Sequence, residues 1–441
     1  MSSLKTLFEE HFQDLIGRHR KLMQQNDLDY LVVPSGAPLR IYQDDMDYPF
    51  KSSFLFRTYV PLTELPDSYL IIGHNGKPTL VYYQSVDFWH TPAEDPTGFW
   101  SSVFDIQIIT EFEQAIRFFP ENNQRTALLG EHTRLTQKLT NVRENPKALI
   151  NAIYWQRAYK SDYEIACLKL ANEKAAIAHI AAENAFRAGK SEQQIHLAYV
   201  EATGMLEHQM PYGNIIALNQ HCSILHYMEC QSVKTPQSKS FLIDAGVTAH
   251  GYHSDISRTY SFADDEFAEL INAMDAMQLA CIDSIKTDQN YLDLHVSAHL
   301  EIAKVIKQFG FVDLQPESII ETGISSTFFP HGLGHLIGLQ VHDVGGQFAD
   351  ISGKANPPPS QHPFLRATRK MESNMAYTIE PGLYFIESLL KQWRHGEHHQ
   401  AFNWQRIESF KPYGGIRIED DIVVKDNKVI NLTRDAFSKV S

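Results

Sequence analysis

Cysteine is scarce in this chain. Four occur among 441 residues, Cys167, Cys222, Cys230 and Cys281, and no pair has Cys-X-X-Cys spacing. That excludes a dense disulfide framework and a thiolate zinc site, and it predicts a reducing compartment. Basic runs are missing as well: the net charge is −14, and Lys and Arg gather only in isolated pairs such as Arg18/Arg20 and Arg369/Lys370. A nucleic acid partner, which needs clustered cations to neutralise phosphate, is therefore not expected. No apolar run reaches the length needed to cross a bilayer, so no membrane partner is expected either. The opening "MSSLKTLFEEHFQDLIGRHRKLM" has no apolar centre of the signal-peptide type; Leu4, Phe8, Phe12, Leu15 and Leu22 instead recur at helical spacing. A soluble cytoplasmic protein is the expectation.

What is present suffices for two cores, since 43% of the residues are hydrophobic. Apolar runs "LDYLVVPSG", "SYLIIG", "TLVYYQ", "FDIQIIT" and "TALLGE" predict strands, with Asn-Gly in "HNGKP" marking a hairpin. A helix is expected around "EFEQAIRFF". This alternation predicts a small α/β domain over residues 1–157. From 158 to 441 the texture changes. A helix is predicted from Asp162 to Arg187, and a second starts at Ser191 with Gln194 in a capping-box position. Further helices are expected over 264–287 and 290–309, interleaved with "GNIIALN", "SFLIDAG", "SRTYSF", "MAYTIEPGLYF" and "GGIRIEDDIVV" as strands. The fold class is α+β.

The chemistry gathers in this second part. Asp244 ends one short apolar strand and Asp255 leads into another. Folded about a midpoint at Ala249-His250, the two carboxylates face each other across a hairpin ladder. Like charges so placed destabilise a ladder unless a cation lies between them. Glu380 interrupts "YTIEPGLYF" and Glu419 interrupts "GGIRIEDDIVV". A further segment, "FFPHGLGHLIGLQVHDVGG", holds His331, His335 and His342. Four carboxylates and a histidine would suit two divalent ions, and oxygen dominance favours Mn²⁺, Mg²⁺ or Co²⁺, with Zn²⁺ still able to bind.

The order Asp244, Asp255, His335, Glu380, Glu419, in "LIDAG", "HSDISRTY", "HGLGH", "TIEPG" and "RIEDD", resembles the dinuclear metallopeptidases of the pita-bread fold, and among these the bacterial prolidases, which cleave Xaa-Pro dipeptides. The resemblance implies an N-terminal creatinase-like domain ahead of a pita-bread catalytic domain. It implies that Asp244 chelates one metal, that Asp255 and Glu419 bridge two, and that His335 and Glu380 complete the second, with Mn²⁺ the first choice and Co²⁺ or Zn²⁺ possible. A hydroxide held between the ions would attack the scissile carbonyl, with Glu380 as proton handler. His342 would polarise the carbonyl oxygen, His226 in "SILHYME" would lie near the proline, and His331 would sit at the pocket edge.

Arg366 in "PFLRATRKM" stands where prolidases carry an arginine for the substrate's terminal carboxylate, a role suited to a bidentate guanidinium. Arg417 admits two readings, substrate contact or partner of a carboxylate ligand. Tyr212 and Tyr291 are candidate pocket walls, with an ordinary core aromatic as the other reading of Tyr291. "MESNMAYTIEPG" departs from the family's usual glycine, and Asn374 is expected to take the left-handed turn in its place. "IYQDDMDYPFKSSFLFRTYVPL" is similar to a loop that reaches a neighbouring subunit in bacterial prolidases, so a homodimer is expected, with Asp45 or its neighbours near the partner's pocket. Two other activities stay open: an aminopeptidase P-type action on longer Xaa-Pro peptides, and a side activity on organophosphorus esters and fluorides. A catalytically dead binding protein would lack metal ligands, and all five positions are filled here.

Overall fold

The computed structural model describes residues 3–121, 124–426 and 428–440. These separate into two compact units. One takes the chain up to Arg157 and adds Ser161–Cys167 and Asp350–Lys354; the other holds Ala158–Lys160, Leu168–Ala349 and the chain from Ala355 onward. The two short segments in the first unit lie beyond the boundary expected from the sequence. Local texture could not assign them, because their allegiance is set by contacts distant in the chain.

In the first unit the helix Leu4–Gln25 begins at Ser3, whose side chain accepts from the Thr6 N–H, and it buries Phe8, Phe12, Leu15 and Leu22. The strands β1 (Tyr30–Pro34), β2 (Tyr69–Gly73), β3 (Thr79–Tyr83), β4 (Asp105–Ile109), β5 (Thr126–Leu128) and β6 (Arg143–Glu144) form one mixed sheet in the order β4-β3-β2-β1-β5-β6. β2 and β3 pair antiparallel around "HNGKP", where Gly76 takes a φ of 73°. Around "EFEQAIRFF" the chain forms a 3₁₀ segment, Phe112–Phe118, in place of the expected helix, and it ends where Phe119 is extended ahead of Pro120.

The helix Asp162–Arg187 belongs to the first unit as far as Cys167 and to the second from Leu168 onward. The helix Glu192–Thr203 carries the capping box of Ser191 and Gln194 and stops at Gly204 in the left-handed region. The helices Glu266–Asp283 and Tyr291–Gln308 pack together, and Leu270, Met274, Leu294 and Ile302 join Phe311, Tyr377 and Ile416 in the main core. Their other neighbours are short antiparallel sheets. β7 (Ile215–Leu218), β8 (Ser240–Asp244) and β11 (Ser257–Ser261) form one, with β8 central. β12 (Ala376–Ile379), β15 (Asp420–Lys425) and β16 (Lys428–Asn431) form another, and β13 (Gly382–Tyr384) pairs with β14 (Gly415–Arg417). Asn374 has a φ of 68°, the left-handed turn expected of it. Among the described residues no helix is long and apolar enough to cross a membrane.

Between β8 and β11 lies the small hairpin of β9 (Thr248–Ala249) and β10 (Tyr252–His253). It turns at His250-Gly251, both at positive φ, as a two-residue hairpin turn demands. That corrects the midpoint read from the sequence. Ser257, not Asp255, is opposite Asp244. Asp255 lies in an irregular stretch where Gly246 approaches the Ser254 carbonyl so closely that a Cβ would meet its oxygen at 2.1 Å.

Candidate metal centre

Strand ends bring the five expected ligands to one cavity. Asp244 stands at the end of β8, Glu380 directly follows β12, and Glu419 lies between β14 and β15; all three line a cavity of about 450 Å³ with Asp255 and His335. Ligand atoms of Asp255, His335 and Glu419 lie within 4.8 Å of one another, and all three residues are buried. The His335 Nδ1–H donates to the Leu336 carbonyl at 3.0 Å, which turns Nε2 toward the carboxylates. That nitrogen is 3.4 Å from Asp255 Oδ2 and 3.9 Å from Glu380 Oε1. Thr378 fixes the segment from behind: the His335 N–H donates to its hydroxyl, and its own N–H donates to the His335 carbonyl.

The electrostatics test whether this donor set suits cations. Burial, followed by the like charges of Asp255, Glu380 and Asp244, drives the Glu419 carboxyl well above its usual range. Burial raises Glu380 to about 7, against the opposing pull of His335. Asp244 is also raised, by burial first and then by Asp255, although Arg417 opposes this. Asp255 departs from the others. Burial would raise it, but the hydrogen bond and charge of His335 hold it below its usual value. Crowded buried carboxylates of this kind repel one another until positive charge enters. Asp244 Oδ1 is buried without a hydrogen-bond partner among the described residues, which leaves a lone pair for a ligand. The residues therefore fit divalent metal.

Arg417 is buried, and its guanidinium is engaged on three sides. It donates to Asp244 Oδ2 at 2.7 Å, to Ser257 Oγ at 3.0 Å and to the Tyr384 hydroxyl at 3.0 Å. Of its two sequence readings, the one as partner of a carboxylate ligand matches this geometry. Ser257 also donates to Glu419 Oε2 at 2.8 Å, and Tyr212 donates to Asp255 Oδ1. Asp421 Oδ2 accepts from the Asp255 N–H at 3.1 Å. Sequence reading had missed Ser257, Thr378, Tyr384 and Asp421. Only proximity to the ligand motifs hinted at them.

The other histidines divide. His226 and His342 line the cavity. The His342 ring stands edge-on to His335, centroids 4.5 Å apart, and burial with the charges of His335 and Arg366 lowers it to about 4. His331 is half-buried: its Nδ1–H donates to the Gly332 carbonyl, and its Nε2 accepts from the Tyr384 hydroxyl at 2.9 Å. Arg366 lines the same cavity with an exposed side chain. Tyr291 is not a wall. It is fully buried and donates to the Thr378 carbonyl at 2.9 Å, behind the histidine segment, because its helix faces the core. Asp45 lies in an exposed loop of the first unit.

A buried cluster of carboxylates with one imidazole, opening on a cavity, defines a divalent-metal centre of the hydrolytic type. Comparison with known proteins gives the family. Residues 6–155 match the family described as "Xaa-Pro dipeptidase, N-terminal domain", and residues 166–426 match "Metallopeptidase family M24". The chain is 45% identical to an Xaa-Pro dipeptidase of Aeromonas hydrophila, covering 99% of this chain and 100% of that one. It is 43% identical to another of Pseudoalteromonas atlantica, over 99% of each. Among solved structures, Zn-substituted Escherichia coli aminopeptidase P in complex with product shares the fold at a TM-score of 0.72 and 20% identity, covering 96% of this chain and 94% of that one. The chain belongs to metallopeptidase family M24, among its bacterial prolidases, and its cofactors are divalent metal ions.

Proposed function

We propose that this chain is a metal-dependent Xaa-Pro dipeptidase that hydrolyses the bond ahead of a C-terminal proline. One observation carries the reading: an exposed arginine, Arg366, shares a cavity of about 450 Å³ with the five ligand side chains. Such a space suits a dipeptide, and the guanidinium suits its terminal carboxylate. The full-length likeness to Xaa-Pro dipeptidases at 43–45% identity supports it. Asp244, Asp255, His335, Glu380 and Glu419 would hold two divalent metal ions, Mn²⁺ first, with Co²⁺ or Zn²⁺ as substitutes. Bound there, the ions supply an activated water near neutral pH and neutralise charge on the scissile carbonyl.

The chain's own groups do the rest. Arg366 fixes the substrate's C-terminal end, which sets where the scissile carbonyl falls. His342 donates to the carbonyl oxygen as charge develops, and His226 lies beside the proline. The leaving nitrogen is a tertiary amide nitrogen and carries no hydrogen. A proton must reach it before departure, and Glu380, facing both His335 and His331, is the group placed to carry one. Arg417 keeps Asp244 oriented.

The test assays the metal-stripped protein on Leu-Pro and on Leu-Pro-Gly, re-adding Mn²⁺, Co²⁺ or Zn²⁺ in turn. Restored cleavage of the dipeptide, with poor cleavage of the tripeptide, is expected. Equal efficiency on both would move the assignment to an aminopeptidase P-type enzyme. We also propose that the centre hydrolyses organophosphorus fluorides as a side reaction; no fluoride release from a phosphorofluoridate in the Mn²⁺ form would remove that activity. A cytoplasmic homodimer completes the proposal, in keeping with four free cysteines.

A further inference from the structure

A second cluster of metal-binding side chains lies outside the carboxylate centre. His295 and His299 are four residues apart on the helix Tyr291–Gln308, so they share one face. His362 arrives from the loop that follows "NPPPSQ". Ligand atoms of the three lie within 4.8 Å of one another. Ring centroids are 4.7 Å apart for His295–His299, 4.4 Å for His295–His362 and 4.8 Å for His299–His362. The trio lines a cavity of about 240 Å³.

Three histidines can also pack as plain aromatics, and both His295 and His299 do contact Phe329. Two details speak against packing alone. His295 is 1% exposed, yet its Nδ1 has no hydrogen-bond partner among the described residues. A buried polar atom left so costs about 1–3 kcal/mol. His299, by contrast, has its Nδ1 paired with Ser325 Oγ at 3.0 Å, which fixes the ring and leaves Nε2 available. Such an outer tie is usual behind a metal-bound imidazole.

We infer that His295, His299 and His362 form an additional metal site, one that takes a divalent transition ion such as Zn²⁺ or Ni²⁺. Three imidazoles without a carboxylate select those ions over Mn²⁺ or Mg²⁺, the reverse of the oxygen-rich centre. The site acts through its loop. Phe364 lines both cavities, and Arg366 follows His362 by four residues. An ion bridging His362 to the helix pins that loop and so holds Arg366 in place; this consequence rests on the substrate role of Arg366 proposed above.

The experiment uses untagged, Mn²⁺-loaded full-length protein, equilibrated with a small excess of Zn²⁺, desalted, and counted by elemental analysis. Wild type retains about one more metal equivalent than His362→Asn, and the same difference separates it from His295→Ala. His362 is half-buried, so its substitution does not open the core. Equal metal content in wild type and both variants would overturn the site. The comparison is repeated in an Asp255→Asn background, where His362→Asn still removes one equivalent. If the carboxylate centre is what fails, Asp255→Asn leaves the total unchanged while the His362→Asn difference persists. Loss of the ion raises KM for Leu-Pro several-fold with a much smaller change in kcat, and an unchanged KM would overturn the coupling to Arg366.

Discussion

At the scale of single residues, the centre separates the proposed ligands from the side chains that hold them in place. Arg417 touches Asp244, Ser257 and Tyr384 at once, and Ser257 in turn touches Glu419. Arg366 has a different position, exposed in the cavity. On the substrate role proposed for it, truncation to Arg366→Ala removes a charged hydrogen bond to substrate, worth about 1.5–3 kcal/mol. Steady-state kinetics on Leu-Pro is expected to show kcat/KM lower by about 10- to 100-fold, mostly through KM. Asp255→Asn acts otherwise. On the ligand role proposed for it, the change removes a ligand charge, and elemental analysis should show lost metal together with activity on Leu-Pro that Mn²⁺ does not restore.

At the scale of elements, the segment carrying His342 is tied down by an ion pair. Lys160 Nζ lies 2.9 Å from Asp343 Oδ2, both side chains about 1% exposed, and the Asp343 N–H donates to the Leu336 carbonyl. A buried pair is weak proof of net stabilisation, but breaking one side strands a charge and costs about 3–5 kcal/mol. Lys160→Met is therefore expected to lower the urea midpoint, whereas the double change Lys160→Met with Asp343→Leu recovers part of the loss. A smaller effect applies at the helix Glu266–Asp283. Asp265 accepts from the Phe267 and Ala268 N–H groups, and Asp265→Ala should cost about 1 kcal/mol in the same assay.

At the scale of the whole molecule, buried neutral histidines make stability sensitive to acid. Burial lowers His19 to about 3, where its ring pairs with the Tyr59 hydroxyl at 2.7 Å. Its folded pKa lies below the unfolded value of about 6.5, so the stabilisation is complete above pH 6.5 and falls as the pH drops toward 3. At pH 5 the loss is on the order of 2 kcal/mol for this group. Urea unfolding measured from pH 7 to pH 5 should show that decline, and His19→Gln should flatten it even if the variant is less stable at pH 7. Light scattering tests the expected homodimer at the same scale; a strict monomer at working concentration would exclude it.

Much of the molecule was legible in one dimension. The helix Asp162–Arg187, the capping box at Ser191, five of the six sheet strands of the first unit and the left-handed Asn374 follow from local rules of propensity, capping and steric freedom. The five ligand candidates came from the order of motifs that resembles the dinuclear metallopeptidases, and the structure gathers those side chains at one cavity. What the sequence could not supply was register and company. Strand pairing about the two-residue turn His250-Gly251 set Ser257 opposite Asp244. Whether Arg417 meets Asp244, whether Tyr291 faces cavity or core, and whether His362 joins His295 and His299 depend on contacts between residues distant in the chain. Local chemistry fixes what each segment can offer; only the packing of segments against one another decides which offers meet.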